Sequence, residues 1–285
     1  MKKLSVCLSI YLLLVINIAA QVTSNIYSEK SKVFDSYPQF SELRYSAPEI
    51  IMPGFDINRL LEEDEAVKGM DIPYRFGKGF DVNYSLADGI WTKVDSGRVW
   101  LMKVTSPGAY SINFIFNELF LPESAELYIY SYDGSMVNGP VTSKQNLESR
   151  IFLTDIIKGE SVILYLYIPE NKEANAKLAI SRIVHGYKDM YAGLFKSTKG
   201  LGDSGPCQKD VACYLTWKPE SNGVAMVLLS SGMRICTGCL LNNSAQDFKG
   251  YFLTAFHCAD RYYPYGDPLS TSEITAAQNW SFRFN

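Results

Sequence analysis

Between residues 97 and 187 the pattern of apolar positions tightens into short runs separated by polar turns. GRVWLMKV, AYSINFIFNELFL, AELYIYSYDGSMVNG, SVILYLYIPE and KLAISRIVHGY are short runs rich in aromatic and β-branched residues, the composition of strands packed against a core. In Ala125–Tyr132 the alternation is nearly strict: Leu127, Ile129 and Ser131 share one face, and Tyr128, Tyr130 and Tyr132 the other. Asp133-Gly134 and Asn138-Gly139 supply hairpin-turn chemistry, because glycine tolerates the positive φ that tight turns need. No helical pattern intervenes. Strands joined by turns predict an antiparallel β-sandwich, drawn here as residues 97–190.

The texture differs on either side. Residues 21–96 are mixed and polar, with a charged patch from Leu60 to Ala66 and scattered Pro and Gly, and read as a leader with little regular structure. After Tyr187, KSTKGLGDSGPC is rich in Gly and Ser, a linker composition that marks a junction over 191–206. Beyond it VAMVLLSS, RICTGCLLNN and YFLTAFHC are three more strand-like runs, which suit a second β domain over 207–285. The expected fold class is all-β.

The first 20 residues carry a different signal. Lys2 and Lys3 precede an apolar stretch from Leu4 to Ile18, and Ile18-Ala19-Ala20 offers small residues before a cut at Gln21. This is the pattern of a secretory signal peptide over 1–20, and no later segment is apolar enough to span a bilayer. Cys7 has almost no apolar run before it and does not read as a lipoprotein cysteine. Export would make disulfides available to Cys207, Cys213, Cys236, Cys239 and Cys258, an odd set confined to the last third. The net charge of −3 and the lack of any Lys/Arg-rich run argue against a nucleic-acid partner.

Only two histidines are present. His185 ends a sandwich strand in IVHGY and reads as a structural polar residue. His257 lies beside Cys258 at the end of YFLTAFHC, downstream of CTGCLLNN. These two motifs resemble the start of a trypsin-like serine endopeptidase, nearest the bacterial lysyl endopeptidase branch. GDSGPCQKDVAC and WKPESNGVAMVLL resemble that branch's mature N-terminus, and the specific motifs cover about residues 202–258. The resemblance implies that 207–285 is the first part of a chymotrypsin-like double β-barrel and that the sandwich is a pro-domain. It implies His257 as general base, a Cys236–Cys258 disulfide, and partners for Cys207 and Cys213 beyond residue 285. Phe256 departs from the small or polar residue usual before the histidine.

Gly202-Asp-Ser-Gly205 looks like a nucleophile motif, but Ser204 precedes His257, whereas this triad runs His, Asp, Ser along the chain. Among the 28 residues after His257, Asp260, Asp267, Glu273, Ser270, Ser272 and Ser281 lack the family's context for either remaining role. The resemblance therefore implies a precursor truncated at its C-terminus. It acts as a monomer on protein or peptide substrates, with cleavage after lysine as the relatives imply, no cofactor, and no membrane contact after signal removal. Lys199-Gly200 is the expected processing bond. A zinc site from Cys236, Cys239, His257 and Cys258 is disfavoured, because residues three apart on a strand face opposite ways and adjacent residues share that difficulty. A redox CxxC would need to open a helix. The rival reading is a secreted, non-enzymatic β-sandwich that binds carbohydrate or protein through exposed tyrosines and Trp91 or Trp100, or a pseudo-protease that has lost the triad.

Overall fold

A computed structural model describes residues 22–68, 70, 72–170, 172, 175–191, 211–246, 250–260 and 268–284. The expected signal peptide, residues 192–206 of the expected junction with Lys199 and Ser204, Cys207 and Asp267 lie outside the described residues. In chain order the strands are β1 (Ser24–Ile26), β2 (Glu49–Ile51), β3 (Tyr74–Arg75), β4 (Gly77–Ser85), β5 (Ile90–Val94), β6 (Gly97–Thr105), β7 (Ser111–Phe120), β8 (Glu126–Ser131) and β9 (Met136–Val141). There follow β10 (Phe152–Leu153), β11 (Ile157–Lys158), β12 (Ser161–Pro169), β13 (Lys177–Gly186), β14 (Val224–Leu229), β15 (Met233–Leu241), β16 (Tyr251–Thr254) and β17 (Ser281–Phe284). The protein is mostly antiparallel β-sheet, in keeping with the all-β expectation, and β2 runs parallel to β6.

Three sheets result. The largest is ordered β1-β9-β8-β12-β6-β2, with β5 also pairing β6. A second is ordered β10-β7-β13-β4, with β11 also on β7, and a third β16-β15-β14-β17, with β3 also on β15. β12 shows why the first two stack. Val162, Leu164, Leu166 and Ile168 point into one large core, where they join Ile112, Phe114 and Phe116 of β7 and Ile180 and Ile183 of β13. The alternate residues Ile163 and Tyr165 belong to a separate buried cluster on the opposite face. Apolar residues on both faces require two coverings.

The second covering comes from the leader, and here the sequence expectation fails. Residues 21–96 supply β1 to β5 and three helices: α1 (Lys32–Ser36), α2 (Pro38–Leu43) and α3 (Ile57–Ala66). Val33 and Phe40 bury themselves against Val99, Leu101, Tyr128, Tyr130, Val137, Ile163 and Tyr165. The Phe40 ring stacks on Tyr130 at 4.5 Å and on Tyr37 at 4.8 Å. Arg44 closes the edge, its guanidinium 4.4 Å from the Phe34 centroid while Nη1 donates to the Tyr132 carbonyl at 3.2 Å. The β8–β9 turn completes the dock, since Ser31 and Val33 donate backbone N–H groups to Asp133 O and Gly134 O at 2.7 and 2.9 Å. Gly134 has φ +71 there, and a Cβ would meet the Phe34 ring at 2.6 Å.

Two smaller corrections concern the same region. Asn138-Gly139, expected to turn, lies inside β9, next to a register shift against β8 between Leu127 and Ile129. The charged patch at 60–66 is part of α3, capped by Asp56, whose side chain accepts from Arg59 N at 3.0 Å. Within it Asp64 pairs with Arg75 and Lys188, both at 2.7 Å, and accepts from Tyr187 OH at 2.6 Å. Burial alone would raise this carboxyl, but the bonds from Lys188, Tyr187 and Arg75 outweigh it and hold the group below its ordinary range. The tryptophans of the rival reading are core residues. Trp100 is fully buried with Nε1 donating to Leu86 O at 2.9 Å, and Trp91 is half-buried against the core.

The third sheet hangs from the other two. β3 pairs with Met233 and Arg234 of β15, and Phe76 and Gly77 both donate to Gly232 O at 2.9 Å. Leu228 of β14 enters the large core. Arg283 of β17, largely buried, donates to Tyr191 OH at 3.0 Å and pairs with Asp155 at 3.4 Å. Among the described residues no helix is long and apolar enough to cross a membrane.

His185 has the structural role expected of it: it is next to last in β13 and buried in the core. It is 2% exposed, Nδ1 shares a 2.7 Å hydrogen bond with Ser106 Oγ, and the ring meets Phe55 edge-on at 4.8 Å. Burial pushes its pKa below the ordinary 6.5. The unfolded chain therefore binds this proton more readily, so the neutral ring's contribution is complete above about pH 6.5 and is lost as pH falls below it. The melting temperature should decline from pH 7 to 5.5, and His185→Gln should flatten that decline while the acid-range loss remains. Phe40→Ala should cost about 3–5 kcal/mol in urea unfolding, against near-zero cost if the leader were only loosely attached.

Candidate active site

The strand carrying CTG is β15, and its partner β16 runs antiparallel with Gly238 opposite Thr254, Cys239 opposite Leu253, and Leu240 opposite Phe252. The two chains approach closely at Gly238, where a Cβ would sit 2.3 Å from Leu253 O and 2.5 Å from the Phe252 ring. Only glycine fits there. β16 ends at Thr254, and the next residues, Phe256–Cys258, form a single 3₁₀ turn. Cys258 N donates to Ala255 O at 3.0 Å, and Asp260 N to Phe256 O at 3.0 Å.

That turn is anchored twice. Cys258 is buried and forms a disulfide with Cys236 of β15. Thr254 Oγ1 donates to Thr237 O at 2.9 Å and lies 3.3 Å from Cys258 Sγ. Between the buried Cys258 and the exposed Phe256 the turn presents His257 to solvent. Sequence reasoning found the histidine and its disulfide. It missed Thr254, for which a threonine three places before the histidine, at the end of the strand, was the available signal.

His257 was expected at the end of a strand and stands instead on the turn after it. This changes the argument about metal. The ligating atoms of Cys236, His257 and Cys258 lie within 4.8 Å of one another, so geometry does not keep them apart. The disulfide does the excluding, because neither sulfur is a free thiolate once the bond forms. Cys239 is a free, half-buried thiol on β15, and Cys213 is free and exposed.

The other candidate groups have different occupations. Ser270 and Glu273 make a reciprocal capping box on helix α4 (Thr271–Gln278): Ser270 N donates to Glu273 Oε2 at 2.9 Å, and Glu273 N to Ser270 Oγ at 3.3 Å. Ser272 Oγ is 2.9 Å from Ser270 Oγ. Ser281 is paired with Leu228 within the third sheet. Asp260 is buried. Among the described residues none hydrogen-bonds the His257 imidazole. Among the described residues Val224, Leu241, Tyr251, Leu253 and Phe256 are exposed apolar or aromatic side chains of the third sheet and the turn after it. On this sheet Val224, Cys239 and Leu253 stand in register across three strands.

An exposed imidazole on a rigid, disulfide-anchored turn can accept and return a proton. Two likenesses bear on what it serves. Residues 201–284 match the family described as lysyl endopeptidase, C-terminal domain. A lysyl endopeptidase of Pseudomonas aeruginosa is 28% identical over 122 residues, covering 39% of this chain and 26% of that protein. The chain thus matches about a quarter of the relative's length, and the family match places its own likeness to a protease family in residues 201–284.

Exposure and anchoring make separable predictions. Replacing both Cys236 and Cys258 by serine should lower urea stability of the third sheet by about 3 kcal/mol, the value for closing a loop of this size. His257→Ala should leave stability within about 0.5 kcal/mol of the parent, as for other exposed positions. A large loss in the histidine variant would mean that the ring is structural.

Proposed function

We propose that this chain belongs to the precursor of a secreted serine endopeptidase, with His257 as its general base. The observation that carries the reading is the disulfide-anchored turn presenting His257, inside the segment that resembles the lysyl endopeptidase family. In the reaction the imidazole takes the proton from a serine hydroxyl as that oxygen attacks the peptide carbonyl, and then returns it to the leaving amine. An aspartate orients the ring. We place neither partner among the described residues near His257 and propose that both come from sequence beyond residue 285, in the order His, Asp, Ser.

The anchoring fits this task. A base held within tenths of an ångström keeps the entropic advantage of a prealigned reaction, whereas a mobile one forfeits it. The exposed apolar side chains of the third sheet are the natural seat for the rest of the peptidase fold. The sandwich and leader would form the pro-region and Lys199-Gly200 the processing bond, with the signal peptide at 1–20 directing export. Cleavage after lysine is carried over from what the relatives are named for.

Coding DNA read past Asn285 should show an aspartate in a polar loop, then a GDSGG-like serine motif and at least two cysteines. In the protein so completed, His257→Ala should lower kcat/KM on lysyl peptide substrates by about 10⁴-fold or more. N-terminal sequencing of secreted material should find a start between Gly200 and Gly202, and Lys199→Ala should slow that cut. A stop codon directly after Asn285 in intact DNA would overturn the enzyme reading in favour of a binding module.

A further inference from the structure

α3 lies against the protein without entering it. Ile57, Leu60, Asp64 and the C-cap Val67 form one stripe at helical spacing and are half-buried, while the other residues of the helix are exposed. No residue of α3 is buried. A helix of this length is not stable alone, so its place depends on what holds that stripe. An aspartate stands in the middle of it, where an apolar residue is ordinarily found.

That carboxylate is the fastening. Its side chain is 14% exposed, and both oxygens are occupied. Oδ1 accepts from Arg75 Nε at 2.8 Å, and Oδ2 accepts from Tyr187 OH at 2.6 Å and pairs with Lys188 Nζ at 2.7 Å. Arg75 Nη2 also donates to Leu60 O at 3.0 Å and to Glu63 Oε2 at 3.1 Å. The donors come from two different parts of the fold. Arg75 belongs to β3, which pairs with Met233 and Arg234 of β15 in the third sheet. Tyr187 and Lys188 directly follow β13, and both donate backbone N–H groups to Phe76 O, at 3.0 and 3.2 Å. One carboxylate thus joins the leader helix, the third sheet and the chain leaving the sandwich.

We propose that α3 is a detachable strap across the seam between the sandwich and the third sheet, fastened by the Asp64 carboxylate. Because charge and hydrogen bonds hold it rather than apolar burial, the strap opens while the core beneath stays folded. The chain on either side keeps its own anchors. Before the helix, the Phe55 ring meets Phe80 at 5.6 Å and His185 at 4.8 Å. After it, β3 remains paired with β15. With the strap open, Tyr187 and Lys188 lose the contact that pins the exit of β13, just ahead of the junction expected at 191–206. Restraint of processing by the strap rests on the pro-region reading, whereas the strap itself does not.

The test is native-state proteolysis of the full chain with added trypsin, read by mass spectrometry as cleavage after Arg59, which requires α3 to unwind. Asp64→Asn keeps the side chain's shape, but whichever way the amide turns, its NH₂ group faces a donor. Cleavage after Arg59 should accelerate about tenfold or more, the loss of one charge-assisted hydrogen bond. Lys188→Met should accelerate it likewise, whereas Glu63→Gln, at an exposed carboxylate, should change it by about threefold at most. Amide hydrogen exchange should rise over 57–66 and at 187–188, and stay at the parent's level in β6, β7 and β12. His257→Ala should behave as the parent, so failure of the strap and failure of the proposed catalytic role are distinguishable. An unchanged rate after Arg59 in both Asp64→Asn and Lys188→Met would overturn the proposal. So would exchange that rises through β6 and β12 as well, because Asp64 would then hold the core and not a strap.

Discussion

Val162 through Ile168 of β12 place apolar side chains on both faces of the largest sheet, and neither face can be left in water. Burying a large apolar side chain contributes about 1.5–3 kcal/mol, and β12 sits mid-sheet between β8 and β6. One face is met by the second sheet through Phe114, Phe116 and Ile183. The other is met by two helices of five and six residues, too short to hold together alone. Their stability comes from the tyrosine surface they cover, and that surface is dry only because they cover it.

The joint to the third sheet mixes two kinds of interaction with different roles. Leu228 adds apolar burial to the main core and favours association outright. The Arg283–Asp155 pair is largely buried, where desolvation offsets much of the attraction. Such a pair adds little net stability, yet removing one partner leaves an uncompensated charge. Its role is to fix where β17 lies, with Tyr191 under the guanidinium at 4.5 Å. The β3 pairing and the shared Gly232 carbonyl hold the other end of the sheet.

Legibility in the sequence followed the length of each periodic run. β6, β7, β8, β12 and β13 are six to ten residues long, rich in aromatic and β-branched residues, and were readable. β4 was missed: Phe80, Val82 and Tyr84 alternate with Asp81 and Asn83, but its glycines and charges obscured the pattern. β1 and β2 are three residues long and show no period; their position is set by partners more than 50 residues away. Asn138-Gly139 failed as a turn signal because the chain continues through it, paired to β1 and β8. At the candidate site the histidine and its disulfide were visible through their neighbours in CTG and HC. The turn was not, because nothing in TAFHC distinguishes the last strand residue from the first residue of a tight turn. Ser270 and Glu273 show the converse: their spacing spells a capping box, a signal that the search for catalytic groups passed over.

The docking of Phe34, Tyr37 and Phe40 onto Tyr128, Tyr130 and Tyr165 also bears on how the chain is made. The guests are synthesised before their hosts, with Phe40 accepting a hydrogen bond from Tyr130 across 90 positions. Ser24 and Asp155 are 131 apart. At roughly 5–20 residues per second, the ribosome leaves those aromatic rings without a seat for about 6–25 s while the sheet emerges. An N-terminal segment of this kind cannot nucleate folding. It waits, and the molecule closes from the middle outward.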